Sequence, residues 1–144
     1  MYELKIKNEK LLNLLQRLPE KLPETGGIIG GKNQEITEYW VDDDAVSKGK
    51  YMCRYTPNVD VMNEKIHKWS EKNIDFLGIF HTHYFGIRTL SKGDIEYMYK
   101  IMNVMPLSVK VLYFPIIVFP EKEMILYAIK NQTMEIIQCD YYII

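Results

Sequence analysis

The chain has 144 residues, of which 47% are hydrophobic and 26% are charged. That length and apolar content suit one folded domain, predicted to span residues 1–144, and they exclude a disordered chain. The 18 basic and 19 acidic residues leave a formal net charge of −1, so the overall charge gives no indication of nucleic-acid binding.

The cysteines and the N-terminus bear on the cellular compartment. Cys53 and Cys139 form no C-x-x-C pair, and we expect two free thiols in a reducing environment. The opening sequence MYELKIKNEK has no apolar run typical of a signal peptide. The apolar stretches are all shorter than the roughly 20 residues that a membrane span needs. The sequence therefore predicts a soluble cytoplasmic protein without a membrane partner.

The chain begins with a predicted strand and helix. Residues 2–6 (YELKI) alternate in polarity like a short strand, and leucines recur near helical spacing over residues 8–18. Asn8 is expected to be the N-cap of this helix, and Pro19 and Pro23 end it.

A hairpin and a polar loop come next. Strands are expected at about residues 26–31 and 35–42, and Lys32-Asn33-Gln34 fits a short turn between them. The following run, DDDAVSKGK, predicts a polar loop. Its three aspartates are expected to form a solvated turn, because the remainder of a calcium-binding loop is missing.

The rest of the chain mixes both kinds of element. Polarity patterns predict helices at residues 58–73 and 91–103, and strands at 76–83, 109–119, 123–130 and 133–143. The predicted fold class is α/β (α+β), with a mixed, mostly antiparallel sheet flanked by helices.

Two histidines at the end of the predicted strand 76–83 indicate a metal site. His81 and His83 are two residues apart, so both imidazoles point to the same face of the strand. A catalytic zinc usually has three protein ligands and one open position for water. Asp94, one turn into the next helix, is the natural third ligand. Such a site would give a nucleophilic water near neutral pH, but it also needs a base.

These residues resemble a family motif. The segment H-T-H-Y-F-G-I-R-T-L-S-K-G-D matches H-x-H, seven residues and S-x-x-D, the motif of the JAMM (MPN-plus, JAB1/Mov34) zinc metalloproteases. Upstream, E-T-G-G-I-I-G-G from Glu24 resembles the family's glutamate at the start of its first core hairpin. The resemblance covers the chain from about Glu24 to the late strands, and it implies a JAMM-like fold.

The resemblance also implies roles for the matching residues. His81, His83 and Asp94 match the zinc ligands, Glu24 matches the general base, and Ser91 matches the residue that stabilises the oxyanion. The implied reaction is hydrolysis of a peptide or isopeptide bond. The implied partner is a ubiquitin-like or sulfur-carrier protein with a glycine-rich C-terminal tail.

One residue departs from the family pattern, and a second feature bears on the substrate. Tyr84 stands where the family usually has proline after the second histidine, which affects the shape of the loop more than the binding of metal. The stretch between the Asp94 helix and the next strand, roughly residues 104–108, is too short for the inserted loop with which deubiquitinating members grip ubiquitin. Ubiquitin itself is therefore a weak substrate candidate.

Other interpretations of the same residues remain open. Ser91 and Asp94 also fit a helix capping box, and one Asp94 oxygen cannot easily both cap and ligate. Glu24, considered without the other motif residues, is best interpreted as a solvated acid. A non-catalytic MPN-type scaffold is the alternative function, although all five motif positions are present. The motifs of zinc deaminases and of thermolysin-like peptidases are absent from the sequence.

Overall fold

A computed structural model describes residues 3–43, 55 and 57–144. In this part of the chain, three helices and eight strands form an α+β fold. The helices are α1 (Asn8–Arg17), α2 (Val59–Glu71) and α3 (Lys92–Asn103). The strands are β1 (Leu4–Ile6), β2 (Gly26–Lys32), β3 (Glu35–Val41), β4 (Asp75–His83), β5 (Val111–Val118), β6 (Glu123–Lys130), β7 (Ile136–Cys139) and β8 (Tyr141–Ile143).

All eight strands belong to one mixed sheet, in the order β7-β6-β5-β4-β2-β3-β1-β8. Four neighbouring pairs are antiparallel, and the pairs β1–β3, β1–β8 and β4–β5 are parallel. The predicted fold class, a mixed and mostly antiparallel sheet with helices, is confirmed. The sheet brings the parallel pair β4–β5 to its middle, where β4 ends in the two histidines.

The last predicted strand, residues 133–143, is wrong as a single element. It divides into β7 and β8, which lie at opposite edges of the sheet with only Asp140 between them. Since consecutive Cα atoms are about 3.8 Å apart, Cys139 and Tyr141 lie within about 7.6 Å of each other. The two edges of the sheet therefore approach one another, and the sheet must curl strongly. Alternating polarity predicts an extended chain, but it cannot show that the two halves of that chain lie at opposite edges of the sheet.

Each face of the curled sheet is covered by helices. The leucines of α1 pack on one face in a cluster that includes Phe80 and Tyr84. Met62 and Trp69 of α2 and Met98 of α3 pack on the other face. Burial of these side chains on both faces stabilises the sheet through the hydrophobic effect.

Several local predictions are confirmed and others are corrected. The hairpin between β2 and β3 has a two-residue turn in which Asn33 and Gln34 both have positive φ, as a type I′ turn requires. The N-cap of α1 is Lys7 and not Asn8, and it makes no side-chain capping bond to the described residues. Asn58 caps α2 by accepting a hydrogen bond from the amide of Val61.

Asp42 was expected in a solvated turn, but it is 1% exposed. Its Oδ2 accepts hydrogen bonds from the Tyr55 hydroxyl at 3.0 Å and from the Asn58 amide at 2.8 Å. The carboxylate thus joins the end of β3 to the start of α2, a tertiary contact that the acidic run does not reveal. Asp44 and the remainder of the predicted polar loop lie outside the described residues.

The prediction of a free thiol is confirmed for Cys139. Cys139 is a half-buried free thiol within the described residues, and burial together with the charge of Asp140 raises its pKa to about 11. Cys53 lies outside the described residues. Among the described helices, none has the length and apolar character needed to cross a membrane.

Candidate metal centre

The end of β4 places both histidines on the face of the sheet that α3 covers. A bulge in the β2–β4 pairing lies just before them, because Ile29 pairs with Gly78 and Gly30 with Phe76. The bulge changes the phase of the alternation, so that Ile79 faces the α2 and α3 side. His81 and His83 continue on that face.

Gly78 makes the close packing at this bulge possible. A Cβ at this position would come within 1.7 Å of the Tyr113 carbonyl oxygen on β5. Any larger residue would separate β4 from β5. The glycine in F-L-G-I-F therefore serves the geometry of the strand that carries the histidines.

The start of α3 supplies Asp94 through local chemistry. The Ser91 Oγ accepts a hydrogen bond from the Asp94 amide at 3.0 Å, and Asp94 Oδ2 accepts one from the Ser91 amide at 2.8 Å. This is the capping box that the sequence also allowed. The box fixes the rotamer of Asp94, so the capping role and the approach to the histidines coexist.

The carboxylate is shared between the two roles. Its Oδ1 lies 3.1 Å from His81 Nε2, while Oδ2, which accepts the cap bond, lies 3.2 Å from His83 Nε2. The expected conflict between capping and ligation therefore does not arise, because Oδ1 stays available to a metal.

The donor atoms fit a tetrahedral metal ion. The two Nε2 atoms are 2.9 Å apart, and one donor atom from each of the three residues lies within 4.8 Å of the other two. Ligands about 2.0–2.1 Å from a tetrahedral zinc are about 3.3 Å from one another, close to the distances seen here. The side chains of His81, His83 and Asp94 are 12%, 6% and 17% exposed. The group can thus bind a metal ion in a sheltered position.

A backbone carbonyl orients the second histidine. The Nδ1 of His83 lies 3.2 Å from the Ile87 carbonyl oxygen, which can only accept a hydrogen bond. A proton on Nδ1 leaves the Nε2 lone pair directed at the metal position, which is the usual arrangement of metal-binding histidines.

Burial and charge oppose each other in this group. Burial by itself would lower the pKa of His83, but the hydrogen bond to Asp94 and the charges of Asp94 and Glu24 outweigh it and raise the pKa. Burial would raise the pKa of Asp94, but the hydrogen bonds from His81 and His83 hold it well below its usual range. The carboxylate is therefore ionised, as a metal ligand must be.

Glu24 lies within electrostatic reach of the three candidate ligands. Burial raises its pKa, the positive charges of His81 and His83 partly oppose this, and the negative charge of Asp94 adds to it. Its Oε1 accepts a hydrogen bond of 3.3 Å from the Tyr55 amide. The interpretation of Glu24 as a fully solvated acid is wrong, because the side chain is half-buried beside the histidines.

Four of the candidate site residues line one cleft of about 680 Å³. Glu24, His83, Ser91 and Asp94 all contribute to it. Sequence reasoning missed its apolar wall, which consists of Leu22, Tyr84, Phe85 and Ile87. The only signal in the sequence is the apolar content of Tyr84-Phe85-Gly86-Ile87, which is unusual for a loop between polar motif positions.

Phe85 is the most exposed part of that wall. Its side chain is 81% exposed, and its φ of 58° lies in the left-handed region that bulky residues seldom adopt. Hydrogen bonds from the Gly86 amide to the Phe119 carbonyl and from the Ile87 amide to the Tyr84 carbonyl hold the loop in this conformation. The loop thus presents an aromatic ring beside the cleft.

Polar residues of the loop after β4 and of α2 have ordinary contacts. Arg88 forms a two-pronged ion pair with Glu123, and Thr89 lies in the cleft wall. His67 is an exposed histidine that pairs with Glu71 on α2 at 3.2 Å.

The sequence matches no protein-family model and no curated protein. The fold is similar to the solution structure of protein DSY2949 from Desulfitobacterium hafniense, with 16% identity and a TM-score of 0.68 over 98% of this chain and 92% of that one. It is also similar to the crystal structure of AF2198, a JAB1/MPN domain protein from Archaeoglobus fulgidus, with 13% identity and a TM-score of 0.51 over the whole of both chains. The chain therefore has an MPN-like fold, in which a His-His-Asp group can bind a metal ion.

Proposed function

We propose that the protein is a zinc-dependent metallopeptidase or isopeptidase. The observation that carries the proposal is the convergence of His81, His83 and Asp94, two of which line a cleft together with Glu24. Two imidazoles and a carboxylate form a donor set typical of catalytic zinc, with a position left for water. A structural zinc would instead be expected to have four protein ligands.

Zinc bound there would polarise the substrate carbonyl and lower the pKa of a coordinated water from about 15.7 to near 7. Glu24 acts as the general base that accepts a proton from the attacking water and then delivers it to the leaving amine. Its raised pKa suits this exchange, because a base whose pKa lies nearer to neutral transfers protons in both directions more readily.

Ser91 is assigned to the developing oxyanion. Its Oγ already accepts a hydrogen bond from the Asp94 amide, which fixes the position of the oxygen. A hydroxyl that accepts one hydrogen bond keeps its own proton to donate. Donation to the negative oxygen of the transition state would stabilise that state more than the ground state.

The proposed substrate is a ubiquitin-like or sulfur-carrier protein that is cleaved at its extended C-terminal tail. The candidate ligands are at most 17% exposed, so glycines beside the scissile bond would let the chain reach them between the cleft walls. The connection from α3 to β5 comprises only residues 104–110, which supports a substrate other than ubiquitin.

The proposal is tested with purified protein and a sulfur-carrier or ubiquitin-like fusion that joins a reporter through a glycine-rich tail. We expect about one zinc per chain. The Glu24→Gln variant should keep the zinc while kcat falls by about 10²–10⁴-fold, because the amide cannot accept the proton. Glu20→Gln is the matched control, since Glu20 lies in the same connection but pairs with Lys122 at the surface.

Each result has a distinct meaning. A protein that cannot be loaded with zinc would overturn the metallopeptidase. A zinc-loaded protein that cleaves none of the fusions would favour the alternative, a non-catalytic MPN-type scaffold. Equal activity of the Glu24→Gln and Glu20→Gln variants would remove Glu24 from the mechanism.

A further inference from the structure

The segment that carries Glu24 is irregular in conformation. Residues 18–25, here called the Glu24 segment, connect α1 to β2. An irregular segment has no ladder or helical hydrogen bonds of its own to fix it, so contacts with other parts of the fold must determine where Glu24 lies.

Thr82 holds one end of the Glu24 segment. The β2–β4 ladder ends with Gly26 opposite His81, and one position further Thr82 makes two bonds to Thr25. The Thr25 amide donates to Thr82 Oγ1 at 2.9 Å, and the Thr82 amide donates to the Thr25 carbonyl at 2.8 Å. Thr82 is 0% exposed, so water does not compete for these bonds.

Tyr84 holds the other end. Its hydroxyl donates a hydrogen bond of 2.8 Å to the Pro19 carbonyl. Its ring stacks on Phe119, with the centroids 5.6 Å apart and the planes at 21°. Both rings are at least 95% buried, and the Phe119 amide donates to the His83 carbonyl at 2.9 Å. A proline, which the resemblance predicts at this position, has neither the hydroxyl nor the aromatic ring.

At the end of β4, the two histidines alternate along the chain with Thr82 and Tyr84. His81 and His83 meet Asp94 on the α3 side of the sheet. Thr82 and Tyr84, the residue that follows β4, alternate with them and lie on the opposite side, where Tyr84 joins the cluster of α1 leucines. The same four residues therefore carry two metal-ligand candidates on one face and two contacts to the Glu24 segment on the other. A shift of the strand would move both sets together.

Other contacts to the segment fix it less well. The bond between Glu24 and the Tyr55 amide is 3.3 Å long, and the Glu20–Lys122 ion pair is exposed, where such pairs contribute little. Leu18 and Leu22 pack against the α1 core, but apolar contacts are not directional.

We propose that Thr82 and Tyr84 are positioning residues that lock the Glu24 segment in register with the metal ligands. The proposal rests on the proposed role of Glu24 as general base. A base misplaced by about 1 Å can lose up to about a hundredfold in rate, even when the chemistry of the metal is unchanged.

The first test does not need a substrate. Proteins loaded with Co²⁺ are compared by the pseudocontact shifts of the Glu24 and Thr25 amides, which report position relative to the metal, and by amide hydrogen exchange. In Thr82→Val and in Tyr84→Phe, we expect the pseudocontact shifts to change and the rate of amide hydrogen exchange in the segment to rise about tenfold. Thr82→Ser keeps the hydroxyl and should show the wild-type shifts and exchange rates. Tyr127→Phe is the matched control, because the Tyr127 hydroxyl also donates to a carbonyl, that of Arg88.

The second test uses the reporter fusion of the proposed function. In Tyr84→Phe and Thr82→Val, kcat should fall about tenfold while KM and the zinc dissociation constant change less than about twofold. Unchanged shifts and exchange would overturn the proposal, and so would a loss of zinc affinity that parallels the loss of kcat. If the wild-type protein cleaves no fusion, the proposed function fails, but the Co²⁺ measurements still decide whether Thr82 and Tyr84 hold the segment.

Discussion

Two regions bring acidic side chains to the same cleft by different means. At the start of α3, Asp94 is fixed by a reciprocal pair of hydrogen bonds with Ser91, only three residues away. In the Glu24 segment, Thr25 and Pro19 are held by Thr82 and Tyr84, more than 50 residues away. Local hydrogen bonds leave a sequence signature and distant ones do not. The two regions should therefore respond differently to mutation and pH.

The largest difference should appear in zinc affinity. Asp94→Ala removes a ligand and should raise the zinc dissociation constant by at least about a hundredfold, since losing even an outer partner of a ligand costs 10–100-fold. Glu24→Ala should leave that constant within about threefold, because Glu24 is assigned to the water and not to the metal. Competition with a chromophoric chelator measures both. Equal losses of zinc affinity in the two variants would indicate that Glu24 is itself a metal ligand.

The pH dependence of stability should reverse with metal. Without metal, the raised pKa of His83 contributes stability that is present below about pH 6.5, the ordinary histidine value, and is lost as pH rises through the higher folded value. With zinc, both histidines must be neutral, so the metal stabilises the fold more as pH rises. The zinc affinity should rise by up to about tenfold per pH unit for each proton that binding releases.

Thermal unfolding at pH 6 and pH 8 tests this reversal. The Tm difference between zinc-loaded and chelator-treated protein should be larger at pH 8. His83→Gln, which cannot titrate, should reduce the pH dependence of the metal-free protein. A Tm difference that does not vary with pH would contradict the account of the His83–Asp94 pair.

The smallest effect concerns the cap itself. Ser91→Ala removes the Oγ that caps α3 and should lower the free energy of unfolding by about 1 kcal/mol. The zinc dissociation constant should change little, because the Ser91 amide still donates to Asp94 Oδ2 and holds the carboxylate. Ser108→Ala, at an exposed position in the α3–β5 connection, is the control. Urea denaturation of the metal-free proteins gives the comparison. A large loss of zinc affinity in Ser91→Ala would show that the cap is required to hold Asp94 in place.

The contrast between the two regions also explains what the sequence could predict. The common face of His81 and His83 and the capping box of Ser91 and Asp94 could be predicted, because strand alternation and helix capping are short-range rules. The bulge at Gly78 decides the face on which the histidines lie. It could not be predicted from the sequence, because it depends on the approach of β5.

Other parts of the fold depended on long-range contacts. The division of residues 133–143 into β7 and β8 follows from sheet curvature, and the burial of Asp42 follows from its bonds to Tyr55 and Asn58. The roles of Thr82 and Tyr84 could not be predicted either, since nothing in the motif specifies contacts with Thr25 and Pro19. The apolar cleft wall at Phe85 and Ile87 was visible only as composition.

Zinc X-ray absorption spectroscopy of the loaded protein tests the central claim most directly, because it counts the atoms around the metal. The account predicts four light ligands at about 2.0–2.2 Å, two of them imidazole nitrogens, and the loss of one oxygen in Asp94→Ala. A sulfur scatterer at about 2.3 Å would place zinc on a cysteine, and a spectrum with fewer than two imidazoles would contradict the site at His81 and His83.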